Sequence, residues 1–198
     1  MTVFATLGPA GTNHELVTRR YLAHHVLDAA RIVLVGDFAE AVAALRAGTV
    51  DHIVQCAVHP ETPRTLGENF RDVFAIDSFV APGKPLAILT RSEVEAPRSI
   101  ALVSPATDSY ADLGRWERRC PEASIPVIVE KLLSGAYDSG LVYLDAATRH
   151  PGRFRVEEVI GAPDDVWIVY GRERLCADGI LARTDGPAAA LYRRPARP

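Results

Sequence analysis

Val3-Phe4-Ala5-Thr6-Leu7-Gly8-Pro9-Ala10-Gly11-Thr12-Asn13-His14 is the stretch that decides the fold. Its apolar residues 3–7 read as a strand, and Gly8 to Asn13 read as a turn-rich loop. Thr12 or Asn13 supplies an N-cap for a following helix, whose Leu16, Val17, Tyr21 and Leu22 share one face. Outward from this unit, the β-branched run at residues 31–35 reads as a second strand. Asp37 then caps a helix running to Ala47, with Phe38, Val42 and Leu45 as its buried stripe and Gly48 as its stop. Residues 51–54 read as a third strand. This alternation implies a parallel sheet with right-handed crossovers.

Residues 55–72 carry prolines and charges without a clear period, and at most one short helix is expected there. Residues 73–80 and 86–90 read as two strands, joined by a crossing point at Ala81-Pro82-Gly83-Lys84-Pro85. A second unit then repeats the first in architecture, without repeated words. It has a strand at 99–103, the polar loop Ser104-Pro105-Ala106-Thr107-Asp108-Ser109, and a helix at 110–119. A strand at 124–127, a helix at 129–134 ending at Gly135, a strand at 141–144 and a helix at 145–148 follow. Residues 166–170 read as a late strand returning to the first unit, and residues 188–198 as a frayed end rich in Ala, Arg and Pro. The expectation is an α/β protein of two lobes, residues 1–81 with 160–198 and residues 82–159, with a cleft between them.

Composition bounds the function. The 198 residues are 48% hydrophobic and 24% charged, ordinary for a globular chain that can bury a core without staples. The net charge is -3 with no basic stripe, which argues against nucleic acid as a partner. Cys56, Cys120 and Cys176 are odd in number, far apart and without metal spacing, so reduced thiols and no metal are expected. The N-terminus lacks the pattern of a signal peptide, and no apolar run approaches the ~18 residues of a membrane span. The expected location is therefore the cytoplasm, with no membrane partner.

In open α/β sheets, ligands bind beyond the carboxyl ends of strands, where loops lead into helix N-termini. Two loops qualify: Gly8, Pro9, Gly11, Thr12, Asn13 and His14 in the first unit, and Ser104, Thr107, Asp108 and Ser109 in the second. Free amides and hydroxyls at such ends attract carboxylates or phosphates. The alternative is that both are ordinary capped turns. The first loop has neither the Gly-Lys-Ser/Thr ending of a nucleotide site nor a dinucleotide GxGxxG. His14 and His59 are the candidate proton donors, since imidazole titrates near neutral pH. His24 and His25 at a helix end, and Arg19 and Arg20 on a helix, read as structural or solvated. Trp167 walls the cleft or fills the core, and Asp108 caps the expected 110–119 helix or serves the site.

Thr6-Leu7-Gly8-Pro9-Ala10-Gly11-Thr12 resembles the opening motif of the prephenate dehydratase catalytic domain, a strand followed by Leu-Gly-Pro-x-Gly-Thr and a helix. Positional matches follow in order. Residues 38–51 resemble the family's helix, glycine and aspartate stretch, Ser104-Pro105-Ala106-Thr107 stands at its Ser-His-Pro loop, and residues 130–144 resemble its Gly-x-x-x-Gly-Val-Ala stretch. The likeness spans roughly residues 3–171 and implies the two-lobed periplasmic-binding-protein-like fold of type 2.

The departures shape the expected activity. Cys56-Ala57-Val58-His59-Pro60 stands where the family has Pro-x-Glu-Asn-Ser. Val166-Trp167-Ile168 stands at its Thr-Arg-Phe, whose threonine is taken as the acid that expels the ring hydroxyl. Valine donates no proton, so the chain is more similar to the bacilysin-type prephenate decarboxylases, in which an aromatic-rich late strand precedes a glycine and a basic residue, here Gly171-Arg172. That resemblance implies a cofactor-free lyase acting on prephenate or a related dicarboxylate, by non-aromatising decarboxylation in antibiotic-type metabolism. His14, His59 and Thr12 are then the catalytic candidates, with the remaining loop residues and Trp167 binding substrate. Kept open beside it are a dehydratase giving phenylpyruvate, a non-catalytic anion-binding protein and a step toward a tropolone-type product. No regulatory ACT-type domain is expected, and the family implies a possible homodimer.

Overall fold

The computed structural model describes residues 1–182, so the frayed end expected at 188–198 lies outside the described residues. Ten strands form two five-stranded sheets. The first sheet is built from β1 (Val3–Leu7), β2 (Arg31–Val35), β3 (His52–Cys56), β4 (Phe74–Pro82) and β10 (Asp164–Gly171), in the order β2-β1-β3-β10-β4. The second is built from β5 (Leu86–Arg91), β6 (Ser99–Leu102), β7 (Arg118–Pro121), β8 (Ser139–Tyr143) and β9 (Phe154–Gly161), in the order β7-β6-β8-β5-β9. The two orders correspond strand for strand. In each, three parallel strands are followed by an antiparallel one that arrives from the other sheet. The parallel order expected from the first alternation holds for β2, β1 and β3, while β10 and β5 run antiparallel to their neighbours because they enter from the opposite lobe.

The first sheet is covered on both faces. Helix α1 (Asn13–His24) lays Val17 and Leu22 against Phe4, Val54 and Trp167. Helix α2 (Phe38–Arg46) lays Phe38, Ala41, Val42 and Leu45 against Ala5, Ile53 and Tyr170. Asp37 caps α2 by accepting the Glu40 N–H at 2.7 Å, and Gly48 ends the turn at φ +72°. The irregular stretch after β3 contains one short helix, α3 (Thr62–Asn69). The second sheet packs on α4 (Ile125–Leu133) and the short α5 (Asp145–Arg149). Two crossings at residues 83–85 and 162–163 join the sheets, held side by side by the Gly83 N–H donating to the Pro163 carbonyl at 3.0 Å.

Three local expectations are corrected. No helix forms at 110–119, because the Asp112 carboxylate accepts the Gly114 N–H at 2.8 Å and closes an Asx turn that competes with helix. Leu113 and Trp116 still reach the core, and the Trp116 indole donates to Ser139 Oγ at 3.0 Å. The residues read as a strand at 124–127 are the first turn of α4, with Ser124 as N-cap and Pro126 in the first turn, where proline is tolerated. The partner strand is instead β7, whose first two residues, Arg118 and Arg119, fall in the stretch that reads as helix. Strand β9 has no counterpart in the sequence reading: it is an edge strand whose Val156 and Val159 are exposed and whose register on β5 shifts twice, which breaks a simple alternation.

Candidate functional site

A cavity of about 150 Å³ lies between the lobes, at the carboxyl ends of β1, β3 and β6. The first lobe contributes Gly8, Thr12, Asn13 and His14 from the β1–α1 turn, Cys56, Val58 and His59 from beyond β3, and Asp165 and Trp167 from β10. The second contributes Ala106, Thr107 and Tyr110 after β6, Ser124 and Ile125 at the start of α4, and Tyr143 at the end of β8. A larger cavity of about 470 Å³ opens at the other end of the first sheet, against Met1, Thr2, Asp51, His52 and Arg172. Strand polarity favours the smaller one, since ligands of open α/β sheets sit beyond the carboxyl ends.

Gly8, Thr12, Asn13, His14, His59, Thr107 and Trp167 therefore share one hollow. Pro9, Gly11, Ser104, Asp108 and Ser109 do not line it. Pro9, Gly11, Ser104 and Ser109 are exposed, and Ser104 Oγ is turned onto the Asp108 carboxylate at 2.9 Å.

The first turn is already furnished with acceptors. The Gly11 N–H donates to the Glu15 carboxylate at 2.7 Å, and this contact holds Glu15 below the usual carboxylate range. The Asn13 N–H donates to the Tyr143 hydroxyl at 2.9 Å, and the Gly8 N–H to the Val35 carbonyl at 2.9 Å. Thr12 Oγ1 accepts the Glu15 N–H at 3.4 Å and donates to the Leu7 carbonyl at 3.2 Å. The expected anion cradle is thus filled from within, by the chain's own carboxylate and phenol. The second expected cradle lacks its helix, and Thr107 Oγ1 donates back to the Val103 carbonyl at 3.1 Å.

The helix end that does face the cavity from the second lobe is that of α4. Its N-cap Ser124 makes no side-chain capping bond, and its Oγ is buried without a partner. Sequence reading missed this residue because the run Ile125-Pro126-Val127 looks β-like. The serine-x-proline start was the available signal.

The histidines are corrected as charged donors. His14 Nε2 accepts the Cys56 N–H at 3.3 Å, which places its proton on Nδ1. Its ring lies 5.1 Å from Trp167, 5.6 Å from Phe38 and 5.6 Å from His59, centroid to centroid. Burial, and then His59, push its pKa down to about 3, so it is neutral at physiological pH. His59 is also lowered, mainly by burial with Glu61 opposing, and its Nδ1 accepts the Glu61 N–H at 3.2 Å. Among the described residues no lysine or arginine lines the cavity. Lys84, whose ammonium lies over the ring of the lining residue Tyr143, is engaged with Asp145 at 3.0 Å and the Gly11 carbonyl at 3.3 Å.

Strand alternation corrects one further point. Asp165 and Trp167 face the cavity, whereas Val166 lies on the opposite face and is 46% exposed. Among the described residues the Asp165 carboxylate has no hydrogen bond or ion pair, and burial raises its pKa, with Asp164 adding to the shift.

No family model and no curated protein matches the chain. Solved structures do. A prephenate dehydratase from Arthrobacter aurescens, in complex with L-Phe, aligns with a TM-score of 0.65 and 19% identity over 96% of this chain and 70% of that one. The BvgS periplasmic VFT2 domain of Bordetella pertussis aligns at 0.54 and 14% identity, over 86% and 80%. An ABC transporter from Parabacteroides distasonis aligns at 0.57 and 12% identity, over 86% and 65%. At these identities the likeness defines the fold: this is a protein of the periplasmic-binding-protein-like type 2 class, with two lobes around a cleft. A prephenate dehydratase is among the structures it is similar to. No helix among the described residues is long and apolar enough to cross a membrane.

Proposed function

We propose that this chain is a cofactor-free lyase acting on prephenate or a closely related dicarboxylate. The observation that carries the reading is the interlobe cavity that joins Thr12, Thr107 and Ser124 at the carboxyl ends of both sheets. Trp167, Tyr110 and Tyr143 give it flat walls for a six-membered ring, and the α4 N-terminus with Ser124 gives one carboxylate seat. The likeness to a prephenate dehydratase supports the same substrate class. At about 150 Å³ the cavity is smaller than the ~300–1,000 Å³ of most ligand sites, so the lobes part to admit substrate.

In this reading the substrate carboxylate that leaves faces the apolar wall of Leu7, Val58 and Val103, where loss of charge as neutral CO₂ is favoured over a desolvated anion. Decarboxylation with the ring hydroxyl kept is the first reading. Dehydration to phenylpyruvate is the second, and one observation favours it: Val166, which stood against an acid at this place, turns away from the cavity while Asp165 turns in. An antibiotic-type pathway and a homodimer accompany the proposal on resemblance alone, and a cytoplasmic location on the pattern of the first residues.

The test is product analysis after incubation of the purified protein with prephenate at neutral pH. A non-aromatic dihydro product supports the decarboxylase, and phenylpyruvate supports the dehydratase. Prephenate that stays unchanged while the melting temperature rises marks a binding protein and ends the lyase reading.

A further inference from the structure

We propose that Asp165 is the catalytic acid of this cavity, delivering the one proton that either lyase reaction consumes. The inference rests on the lyase reading and deepens it. Three geometric facts carry it. Among the described residues Asp165 is the only carboxyl lining the cavity. It lies at the start of β10, immediately after the second crossing between lobes, with Trp167 beside it on the same face. Its carboxylate has no hydrogen-bond donor and no cation as partner among the described residues, so no such contact holds it in the ionised form.

The other titratable groups of the cavity are unsuited to the task. Cys56, from β3, is pushed up to about 11, chiefly by burial with the Asp165 charge adding a little, and remains a thiol. Tyr110, after β6, is raised by burial and then by Asp165, and Tyr143 is pushed up to about 12. His14 of α1, pushed down to about 3 by burial, is neutral, and burial also lowers His59 beyond β3, disfavouring its charged form. Asp164, on the same strand, faces solvent and raises Asp165 further. A dianionic substrate arriving in this cationless hollow raises Asp165 again, because like charges disfavour a second carboxylate. Substrate binding therefore shifts Asp165 further toward its protonated form.

The proton balance is the same for both products. In dehydration the bond from the ring to its carboxylate breaks, CO₂ leaves, and the freed electron pair completes the aromatic ring. The ring hydroxyl takes the Asp165 proton and departs as water. In simple decarboxylation the same electron pair is captured on a ring carbon by that proton. Asp165 is left as a carboxylate and recovers its proton from solvent.

The experiment compares wild type with Asp165→Asn and Asp165→Glu in steady-state turnover of prephenate. Calorimetric titration with prephenate in buffers of different ionisation enthalpy reads proton uptake on binding. For Asp165→Asn a fall in kcat of about 100-fold or more is expected, the usual scale for a lost acid, with KM within a few-fold of wild type. Asp165→Glu restores part of the rate, and the proton uptake seen in wild type disappears in Asp165→Asn. An Asp165→Asn rate within a few-fold of wild type overturns the acid and leaves the lyase reading standing. A wild type that leaves prephenate unchanged overturns the lyase reading, and the acid with it.

Discussion

The Tyr143 hydroxyl, at the end of a strand of the second lobe, accepts the Asn13 N–H that opens the first helix of the other lobe, at 2.9 Å. A phenol thus occupies the place at a helix N-terminus where an anion was expected. The contact is part of a latch: the Lys84 N–H donates to Asn13 Oδ1 at 2.8 Å, and the Lys84 ammonium bonds Gly11 and Asp145. Replacing Tyr143 with phenylalanine keeps the ring and removes only the acceptor. The expected loss is about 1 kcal/mol of unfolding free energy, the net worth of one partly buried hydrogen bond. Urea denaturation checks it. An unchanged midpoint would mean that water serves the Asn13 amide equally well.

His14 carries a pH dependence of stability. Its folded pKa of about 3 lies below the ordinary 6.5, so protonation favours the unfolded chain. Its contribution is complete above pH 6.5 and is lost as pH falls from there toward 3. His14→Gln flattens the stability profile over that window. In the wild type, the His14 ring carbon resonances stay fixed between about pH 5 and pH 8, where a free imidazole would titrate.

Asp165 acts in the opposite sense. Its folded pKa is raised above the ordinary 3.8, so stability is full below that value and falls as pH rises through the raised pKa. Asp165→Asn is therefore more stable than wild type at neutral pH and equal to it near pH 3. Denaturant unfolding of the pair at the two pH values checks the sign, and shows that the variant used to test catalysis is folded.

Gly140 lies on a buried strand against α4. A Cβ there would stand 2.7 Å from Ile128 Cγ2 and 2.8 Å from Leu132 Cδ1. Both neighbours are fully buried, so the added methyl forces the helix outward. Gly140→Ala is expected to cost about 1–3 kcal/mol, as overpacking does. It also displaces Ser124 at the helix start, weakening prephenate binding beyond the stability loss. Thermal unfolding and titration calorimetry measure the two effects.

The first unit was legible because its signals are local. Thr12, Asp37 and Gly48 are cap residues, and β-branched runs mark the strands between them. The second unit repeated that order in the sequence, and its sheet follows the same strand order in space. The failures came where a tertiary contact or a side-chain bond outvoted the local pattern. Asp112 turns the chain at a place with helical spacing, and Ser124 begins a helix inside an apolar run that looks like a strand. The neutral state of His14 and His59 was not legible, because burial is a property of the assembled lobes. Asp165 was within reach: once Trp167 is taken as a cavity residue, period-two alternation puts the residue two before it on the same face. The family register drew attention to Val166 instead, on the opposite face.

Resonance mapping of isotopically labelled protein titrated with prephenate tests the central claim most directly. The expected result is that the amide signals of Thr12, Thr107 and Ser124 and the indole N–H of Trp167 shift together and saturate with one dissociation constant. Shifts confined to Met1, His52 and Arg172 around the larger cavity, or no shifts at all, would contradict it.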